Sequence, residues 1–424
     1  MRRTYTRVVL LVAAFLMFPR AAPALTEYES KDGSFSVRVS GYVKTLALGL
    51  VNTVRSGTKP APDGGVPLPE YTNQAEDFTR ARLMLDGDIG ARVSWTVHYE
   101  HYAVINPVNQ ATSGFFAGSQ ATKQRQSLLL PLDWKVKETG GLLWRNGLDR
   151  LYVRFHLDAA DVTVGRQAIS WGVGRIWTPS DLFVAFSPVE IDKEYKTGID
   201  AVSVKVPLGS SAQIETVYAA LGEDFRRHLA AMRGQVTLGN FDVGMMGGKF
   251  FQDFVTGPFF DGEINGAGVR GEMTFTHNTN DKSPERRTFI RGVVGTDYQF
   301  DNNIYALLEY YYNGFGVEDP EDYLRRFNSE RIARGELFNV GQHYLGANVA
   351  YEPHSLVKTS VSGLWNLLDQ SALIGPLCVV SLSDEADLRV GTYFPIGTAF
   401  VGRKVKSEFG AYPQIYYLQL RMYF

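Results

Sequence analysis

Charged side chains alternate with apolar ones along many short stretches of this sequence. Such charges have two possible roles. They form ion pairs that hold neighbouring strands together, or they face water and concentrate solutes of opposite charge. We expect the charged residues of these polar faces to point into an interior and to line a pore: Arg80, Arg82, His98, Glu100, Arg150, Arg154, Arg270, Glu272, Arg291, Glu309, Lys358 and Arg421.

Arginines are concentrated on two nearby stretches, residues 78–88 and 148–157, and His98 and Glu100 lie on the stretch between them. Arginines from two strands on one wall would form a basic ladder that favours anionic solutes. Acids are interspersed among them, however, so pairing across strands accounts for the same pattern. The sequence leaves both interpretations open.

A second group of charges lies in the irregular segment 165–200, which is rich in glycine, proline and tryptophan. The alternation slips at Gly165, and a bulge or inward fold there would turn Arg166 towards the interior. The chain beyond Trp171 is predicted to be a loop. It either folds into the barrel as a constriction or lies on the surface, and in the first case its shape depends on Arg166, Arg175, Asp181, Asp192, Lys193 and Glu194.

Catalytic and metal chemistry find no support in the residue pattern, and we expect no catalytic residue, no metal site and no cofactor. None of the seven histidines has a serine two positions later, and no aspartate directly precedes a histidine. His98 and His101 lie three residues apart, so on a strand they point to opposite faces. Cys378 is the single cysteine, which excludes an internal disulfide and any cysteine-based zinc site.

The dominant pattern in the chain is an alternation of period two, in stretches of about ten residues. Residues 148–157, for example, place Leu151, Val153 and Phe155 opposite arginine, tyrosine and histidine. Seventeen such stretches are recognisable between residues 35 and 424. This pattern predicts antiparallel strands with one apolar and one polar face.

A transmembrane β-barrel fits these strands better than a soluble sandwich or propeller. Short turns alternate with long polar connections, such as 52–75, 103–141 and 172–197, and aromatic residues gather at strand ends. Barrels with tight turns at one end and long loops at the other give this alternation. The fold class is therefore predicted to be all-β, a closed antiparallel transmembrane barrel.

The predicted number of strands is inconsistent at seventeen, because a closed bacterial barrel with both termini on one side needs an even number. Strand directions assigned from the two ends of the chain collide between Phe241 and Thr288. One strand in this region is missed or falsely assigned. About 16 strands are expected, and 18 are possible.

Both ends of the chain carry export signals. Residues 1–24 have a basic start, an apolar run and an Ala22-Pro23-Ala24 site, which predicts a cleaved signal peptide followed by one barrel domain, residues 25–424. Because residues 1–24 contain four arginines and no acid, their removal takes the formal net charge from −2 to −6. A mildly acidic chain is not expected to bind nucleic acid.

Three motifs resemble those of a proteobacterial family of porin-like outer-membrane barrels of undefined substrate. They are the run from Gly165 to Phe183 (G-R-Q-x-x-x-W-G-x-G-R-x-W-x-P-x-D-L-F), Glu309 to Gly314, and Ser407 to Gly410. A weaker similarity extends to alginate-export and phosphate-selective barrels. The resemblance implies a location in the bacterial outer membrane. The terminal residue of the chain, Phe424, resembles the signal that the barrel-insertion machinery reads.

From these features we expect a porin-like channel for passive diffusion of small hydrophilic solutes, with a preference for anions left open. The partners expected are outer-membrane lipid, the insertion machinery and the solutes themselves, and a homotrimer is one possibility. The alternatives are a barrel that exports a polysaccharide or scaffolds a partner protein, and a surface barrel with a sealed interior.

Overall fold

The computed structural model describes residues 26–56, 69–105, 128–280, 287–401 and 404–424. The predicted signal peptide lies outside these residues. In the described part of the chain, no helix combines the length and the apolar character needed to cross a membrane.

Nearly all regular structure in the described residues is β-strand. The strands are β1 (Thr26–Glu29), β2 (Phe35–Ser56), β3 (Pro69–Ile89), β4 (Val93–Ile105), β5 (Asp133–Thr139), β6 (Leu142–His156), β7 (Asp161–Gln167), β8 (Ile199–Leu208), β9 (Ala212–Ala219), β10 (Leu229–Leu238), β11 (Phe241–Phe250), β12 (Asp253–Ile264), β13 (Ala267–Asn278), β14 (Thr288–Gln299), β15 (Ile304–Asn313), β16 (His343–His354), β17 (Val357–Asn366), β18 (Ala372–Ser383), β19 (Ala386–Ile396), β20 (Phe400–Val401), β21 (Lys404–Val405) and β22 (Gln414–Tyr423). Two short helices, α1 (Tyr323–Phe327) and α2 (Glu330–Ala333), lie between β15 and β16.

Eighteen of these strands form a closed antiparallel barrel, which confirms the predicted fold class. The barrel closes where β2 pairs with β22, from Tyr42 opposite Tyr423 to Val51 opposite Gln414. The first and last barrel strands therefore share one seam. Short turns lie at the end of the barrel that holds Phe424, and the long connections lie at the other end.

Strand β12 is the barrel strand that the sequence pattern missed, and it lies in the predicted interval; β5 was missed as well, within the predicted long connection 103–141. Its apolar residues occupy both faces: Val255 and Phe259 are buried, whereas Phe254 is 51% exposed on the outside. Pro258 interrupts its pairing with β13, because proline cannot donate to the ladder. With β12 included, eighteen strands is the larger of the two predicted numbers.

The outer surface of the barrel is apolar, as contact with lipid requires. Many large apolar side chains on alternate positions are about half exposed, among them Met232, Met245, Val294, Val349 and Val361. The residues between them point inward, and these inward positions carry most of the charges of the strands. The predicted alternation of faces is therefore the alternation between the outer surface and the interior of the barrel.

The wall of the barrel is uneven in height. Strands β2 and β3 have 22 and 21 residues, whereas β7 has only 7. Where β7 ends, β5 takes its place beside the N-terminal half of β6, from Asp133 opposite Gly147 to Thr139 opposite Leu142. An additional strand from the connection after β4 thus extends the wall where the chain leaves it.

Gly165 directs the chain out of the wall. Its φ is +124°, and a Cβ there would lie 2.2 Å from the carbonyl oxygen of Leu151. The pairing with β6 continues without a register shift as far as Arg166 opposite Leu151, so no residue is inserted at Gly165. Arg166 is fully buried, with Nε 2.8 Å from Asp200 and Nη1 2.9 Å from Asp133. The predicted bulge is absent, and Arg166 is buried between Asp200 on β8 and Asp133 on β5.

Replacing Gly165 by alanine should destabilise the barrel, because the new Cβ collides with backbone and the φ is one that L residues rarely adopt. We expect a loss of about 1–3 kcal/mol from backbone strain alone, together with displacement of Arg166. Thermal unfolding followed by heat-dependent mobility in gel electrophoresis measures the effect. Gly140→Ala is the matched control, because nothing lies within 4 Å of the corresponding Cβ position. Equal stability of the two variants would contradict the role of Gly165 in directing the chain out of the wall.

Candidate functional site

The connection between β7 and β8, residues 168–198, lies inside the barrel and is called the inner loop below. It contains no regular secondary structure, so its backbone N–H groups need partners from elsewhere. Those partners come from the barrel wall on β13 and β15, about one hundred residues further along the chain. Of the two predicted placements, the structure therefore shows the internal one.

Glu309 on β15 holds the first part of the inner loop. Its carboxylate accepts hydrogen bonds from three successive backbone N–H groups, those of Arg175 (2.5 Å), Ile176 (2.8 Å) and Trp177 (3.3 Å). The side chain of Glu309 has no exposed surface. Hydrogen bonds to an ionised group are worth about 1.5–3 kcal/mol each, so one carboxylate fixes a whole turn of the loop.

Glu272 on β13 holds the loop on both sides of that turn. It accepts from the backbone N–H of Val173 at 2.8 Å and from the Ser180 hydroxyl at 2.5 Å. Two wall arginines complete the attachment: Arg233 donates to the carbonyl of Trp171 at 2.7 Å, and Arg291 to that of Pro179 at 3.1 Å. Acidic side chains of the wall thus accept hydrogen bonds from N–H and O–H groups of the loop, and wall arginines donate to its backbone carbonyl groups.

Apolar packing supports these polar contacts. The ring of Trp177 stacks on Tyr311 at 5.3 Å, and its Nε1 donates to Asn339 at 2.9 Å. Trp171 packs edge-on against Phe183 at 4.9 Å. The loop is therefore part of two hydrophobic clusters, one on β8–β12 and a larger one that includes residues of β2–β4, β14–β18 and β22.

The far end of the inner loop contacts the seam of the barrel. Asp192 and Glu194 both accept from Lys44 on β2, at 3.1 Å and 2.6 Å. Tyr195 stacks on Tyr42 at 5.4 Å. After its contacts with β13 and β15, the loop thus reaches the seam strand β2, which lies four strands from β7 around the barrel.

Only a few of the predicted constriction residues remain open to water. Arg175, Lys193 and Glu194 are exposed, whereas Arg166, Asp181 and most of Asp192 are buried. Lys193 donates to the carbonyl of Pro188 at 2.9 Å, and Asp181 pairs with Lys196. The exposed charges of the loop are thus two cations and one anion.

Most of the predicted wall residues face inward and contact an opposite charge or a polar group. The pairs are Arg80–Glu100, Arg82–Glu100, Arg82–Asp149, Arg150–Asp149, His98–Asp86, Arg154–Thr163, Arg270–Asp261, Arg270–Asp297, Arg291–Glu336, Lys358–Glu352 and Arg421–Asp387. Lys358, with 63% of its side chain exposed, and Arg154 are open to water. Pairing across strands accounts for most of these charges.

Asp149 is a buried charge that the sequence pattern did not indicate. It is adjacent to Arg150, so strict alternation would place the two on opposite faces. A register shift at His98 and Tyr99 turns both inward, and the Asp149 carboxylate binds Arg82, Arg150 and the backbone N–H of Gly198. Only the pairing of the strands reveals this, because the residues involved are far apart in sequence.

The motif Ser407 to Gly410 ties two outer connections together. Glu408 accepts from Asn339 Nδ2 (3.1 Å), the Val340 N–H (3.2 Å) and Asn366 Nδ2 (3.0 Å). Burial raises the pKa of Glu408 to about 7, although the hydrogen bonds from Tyr344 and Asn339 act in the opposite direction. Asn339 also binds Trp177, so this cluster supports the inner loop from the outer side.

Three residues near the short-turn end have the geometry of a hydrolase triad. Ser94 Oγ lies 2.9 Å from His156 Nε2, and His156 Nδ1 lies 2.8 Å from Asp161. However, Ser94 Oγ is also 2.7 Å from the carboxylate of Asp88. A negative charge there opposes the oxyanion that acyl transfer must stabilise. We assign these residues to a hydrogen-bonded row across four strands and not to catalysis.

Within the described residues, no group of three or more histidine, cysteine or acidic side chains is placed to hold a metal ion.

The fold matches solved structures of outer-membrane proteins, although no family model and no curated protein matches the sequence. OpdK from Pseudomonas aeruginosa has a TM-score of 0.53 at 6% identity, over 92% of this chain and 98% of that one. OccD3 (OpdP) from the same organism has 0.51 at 9%, over 97% of both chains. OccAB4 from Acinetobacter baumannii has 0.50 at 9%, over 91% and 98%.

Replacing Glu309 by glutamine should loosen the inner loop, because the amide offers one acceptor and directs a donor towards backbone N–H groups. The readout is maleimide labelling of a cysteine placed at Val189, a buried loop residue, in a Cys378→Ser background. Losing one or two charged hydrogen bonds should raise the labelling rate by about tenfold or more.

Glu138→Gln is the control for this measurement, because Glu138 is exposed and pairs only with Lys135 among the described residues. Unchanged labelling in both variants would show that Glu309 does not hold the loop.

At these identities the similarity extends to the fold alone, a closed antiparallel β-barrel like those of the matched outer-membrane proteins.

Proposed function

We propose that this chain is an outer-membrane channel for the passive diffusion of small hydrophilic solutes. The observation that carries the proposal is the inner loop, which is anchored inside a closed barrel yet exposes Arg175, Lys193 and Glu194 to the interior. Loop charges facing water inside a barrel attract or repel passing solutes. No covalent step and no cofactor are needed.

The proposed location is the bacterial outer membrane, reached after cleavage of residues 1–24. The half-exposed apolar side chains of the outer surface support it, because a soluble protein rarely exposes an apolar belt of this extent. Phe424 is the proposed signal for the insertion machinery. Its backbone pairs with Gly41, at 2.8 Å and 2.9 Å, and so completes the seam. Assembly as a homotrimer is part of the proposal.

Selectivity is proposed to depend on the exposed cations of the loop rather than on the arginines of the wall. Arg82 and Arg150 are buried and share Asp149, so their charges are compensated. Arg175 and Lys193, by contrast, present their charges to the interior. A mild preference for anions follows, because two cations and one anion are exposed on the loop.

Export of a polysaccharide is the weaker alternative. The interior is narrowed by the two hydrophobic clusters, and the loop that forms part of them is fixed by buried carboxylates at Glu272 and Glu309. A bulky chain would have to displace this loop. Small solutes pass without that cost.

Replacing Arg175 and Lys193 by glutamine should shift the reversal potential of the open channel towards cations, because only Glu194 then remains exposed on the loop. Single channels in planar bilayers under a KCl gradient provide the measurement. The matched control is Lys135→Gln with Arg325→Gln, which removes two exposed cations outside the inner loop. We expect at least a twofold change in the ratio of anion to cation permeability.

A wild-type barrel that conducts no ions would refute the channel. A conducting barrel with identical selectivity in all three proteins would refute the role of these two cations.

A further inference from the structure

Three cations lie side by side on the inner wall at the seam of the barrel. Lys44 on β2 is directly opposite Arg80 on β3 and directly opposite Arg421 on β22. Like charges in directly opposed positions of a sheet repel each other. Arg80 pairs with Glu100 and Arg421 with Asp387 on the wall, whereas the ion pairs of Lys44 go to the inner loop. The row of three cations therefore forms a surface on the wall that binds anions. It is called the cation row below.

The anions that now lie against the cation row come from the chain itself. Lys44 Nζ donates to Asp192 at 3.1 Å and to Glu194 at 2.6 Å. Arg421 Nη1 is 3.4 Å from Glu194, and Arg80 Nη1 is 4.0 Å from Asp192. Tyr423 OH also donates to Glu194, at 2.9 Å. Two carboxylates of the inner loop thus occupy the position of a doubly charged ligand.

The cation row is deeply enclosed and needs its anionic partners. The side chain of Lys44 is 1% exposed, and its ammonium lies 4.3 Å from the ring centre of Tyr42 and 5.6 Å from that of Tyr195. A buried charge deprived of its partner is strongly unfavourable. Whatever leaves this site must therefore be replaced by another anion.

The two loop carboxylates differ in how firmly they are enclosed. Asp192 is 10% exposed, whereas Glu194 is 28% exposed and borders the open interior. Glu272 and Glu309 hold residues 173–180 of the loop, and Asp149 and Arg150 bind the backbone of Gly198 and Lys196, so the wall fixes the loop on both sides of its two carboxylates. Asp192 and Glu194 lie between these fixed points, and Glu194 is the more accessible of the two to a solute.

We propose that the cation row is a binding site for small solutes with two carboxylate groups, and that Asp192 and Glu194 occupy it as an internal competitor. Both carboxylates reach the same ammonium, so a short dicarboxylate such as succinate spans the same donors. The solute replaces the loop carboxylates and restores the charge balance. This inference rests on the proposed channel function and names a solute class for it.

The test measures binding of succinate to the full-length protein in detergent, by calorimetry at neutral pH. Replacing both competitors (Asp192→Asn with Glu194→Gln) should tighten the binding by about tenfold or more, because the free site is then the dominant state. Adding Lys44→Gln to this variant should abolish the gain. Acetate and inorganic phosphate, at matched ionic strength, should show no comparable gain.

The matched control is Glu138→Gln with Glu321→Gln, two exposed acids that each pair with an exposed lysine. Folding of every variant is checked by heat-dependent gel mobility. If the double variant at the loop does not fold, Glu194→Gln alone replaces it. This single variant should also bind succinate more tightly than the wild type, by a smaller factor.

Equal succinate affinity in the wild type and the double variant would overturn the inference. The inference would also be overturned if the gain in succinate affinity persisted after Lys44→Gln, or if phosphate showed the same gain in affinity. Because the binding measurement needs no conduction, it is independent of the bilayer recordings. A barrel that binds succinate but does not conduct would refute the channel alone, and a conducting barrel without the gain would refute the competitor alone.

Discussion

The arrangement of the interior depends on the buried carboxylate of Glu309. A loop without regular structure carries backbone N–H groups that are costly to leave without partners once water is excluded. Inside a closed barrel, all main-chain groups of the wall already pair with neighbouring strands. Side chains of the wall are then the remaining source of acceptors. One carboxylate that accepts three adjacent N–H groups meets this need with a single residue.

The path of the inner loop is matched by a change in the height of the barrel wall. A chain that turns inward after seven residues of β7 removes material from the barrel on the side of the long connections. Gly165 permits the turn, and Arg166 then binds Asp200 on β8 and Asp133 on β5. The same arginine therefore joins the shortened wall to the strand that extends it. The backbone conformation at Gly165 thus has two consequences: the chain enters the interior as the inner loop, and β5 is joined to the wall where β7 ends.

The sequence predicted the barrel well because lipid imposes a local rule, alternation of apolar and polar residues, that each strand must satisfy by itself. The rule failed at β12, where Val255 and Phe259 point inward and are apolar as well. Val255 packs in one of the clusters that the inner loop forms. The inward face of a strand can be apolar where the loop packs against it, because the loop shields that face from water. The missed strand therefore shows where the inner loop lies.

The site was predictable in composition but not in geometry. Alternation assigned Glu309 and Arg291 to the interior, and both are there. Whether an inward side chain meets water or lies beneath a loop depends on contacts between residues far apart in sequence, and no local pattern records these. The motif from Gly165 to Phe183 marked the inner loop as unusual. Its partners became apparent only from the pairing of the strands.

The cation row adds a constraint on how the barrel is completed. Lys44 and Arg421 become neighbours only when β2 pairs with β22, because the two strands come from opposite ends of the chain. Closure of the seam therefore creates the positive charge density that Asp192 and Glu194 neutralise. Docking of the loop's far end and closure of the barrel stabilise each other, since each removes the electrostatic cost of the other. The contact that fills the proposed binding site also helps to hold the two ends of the chain together.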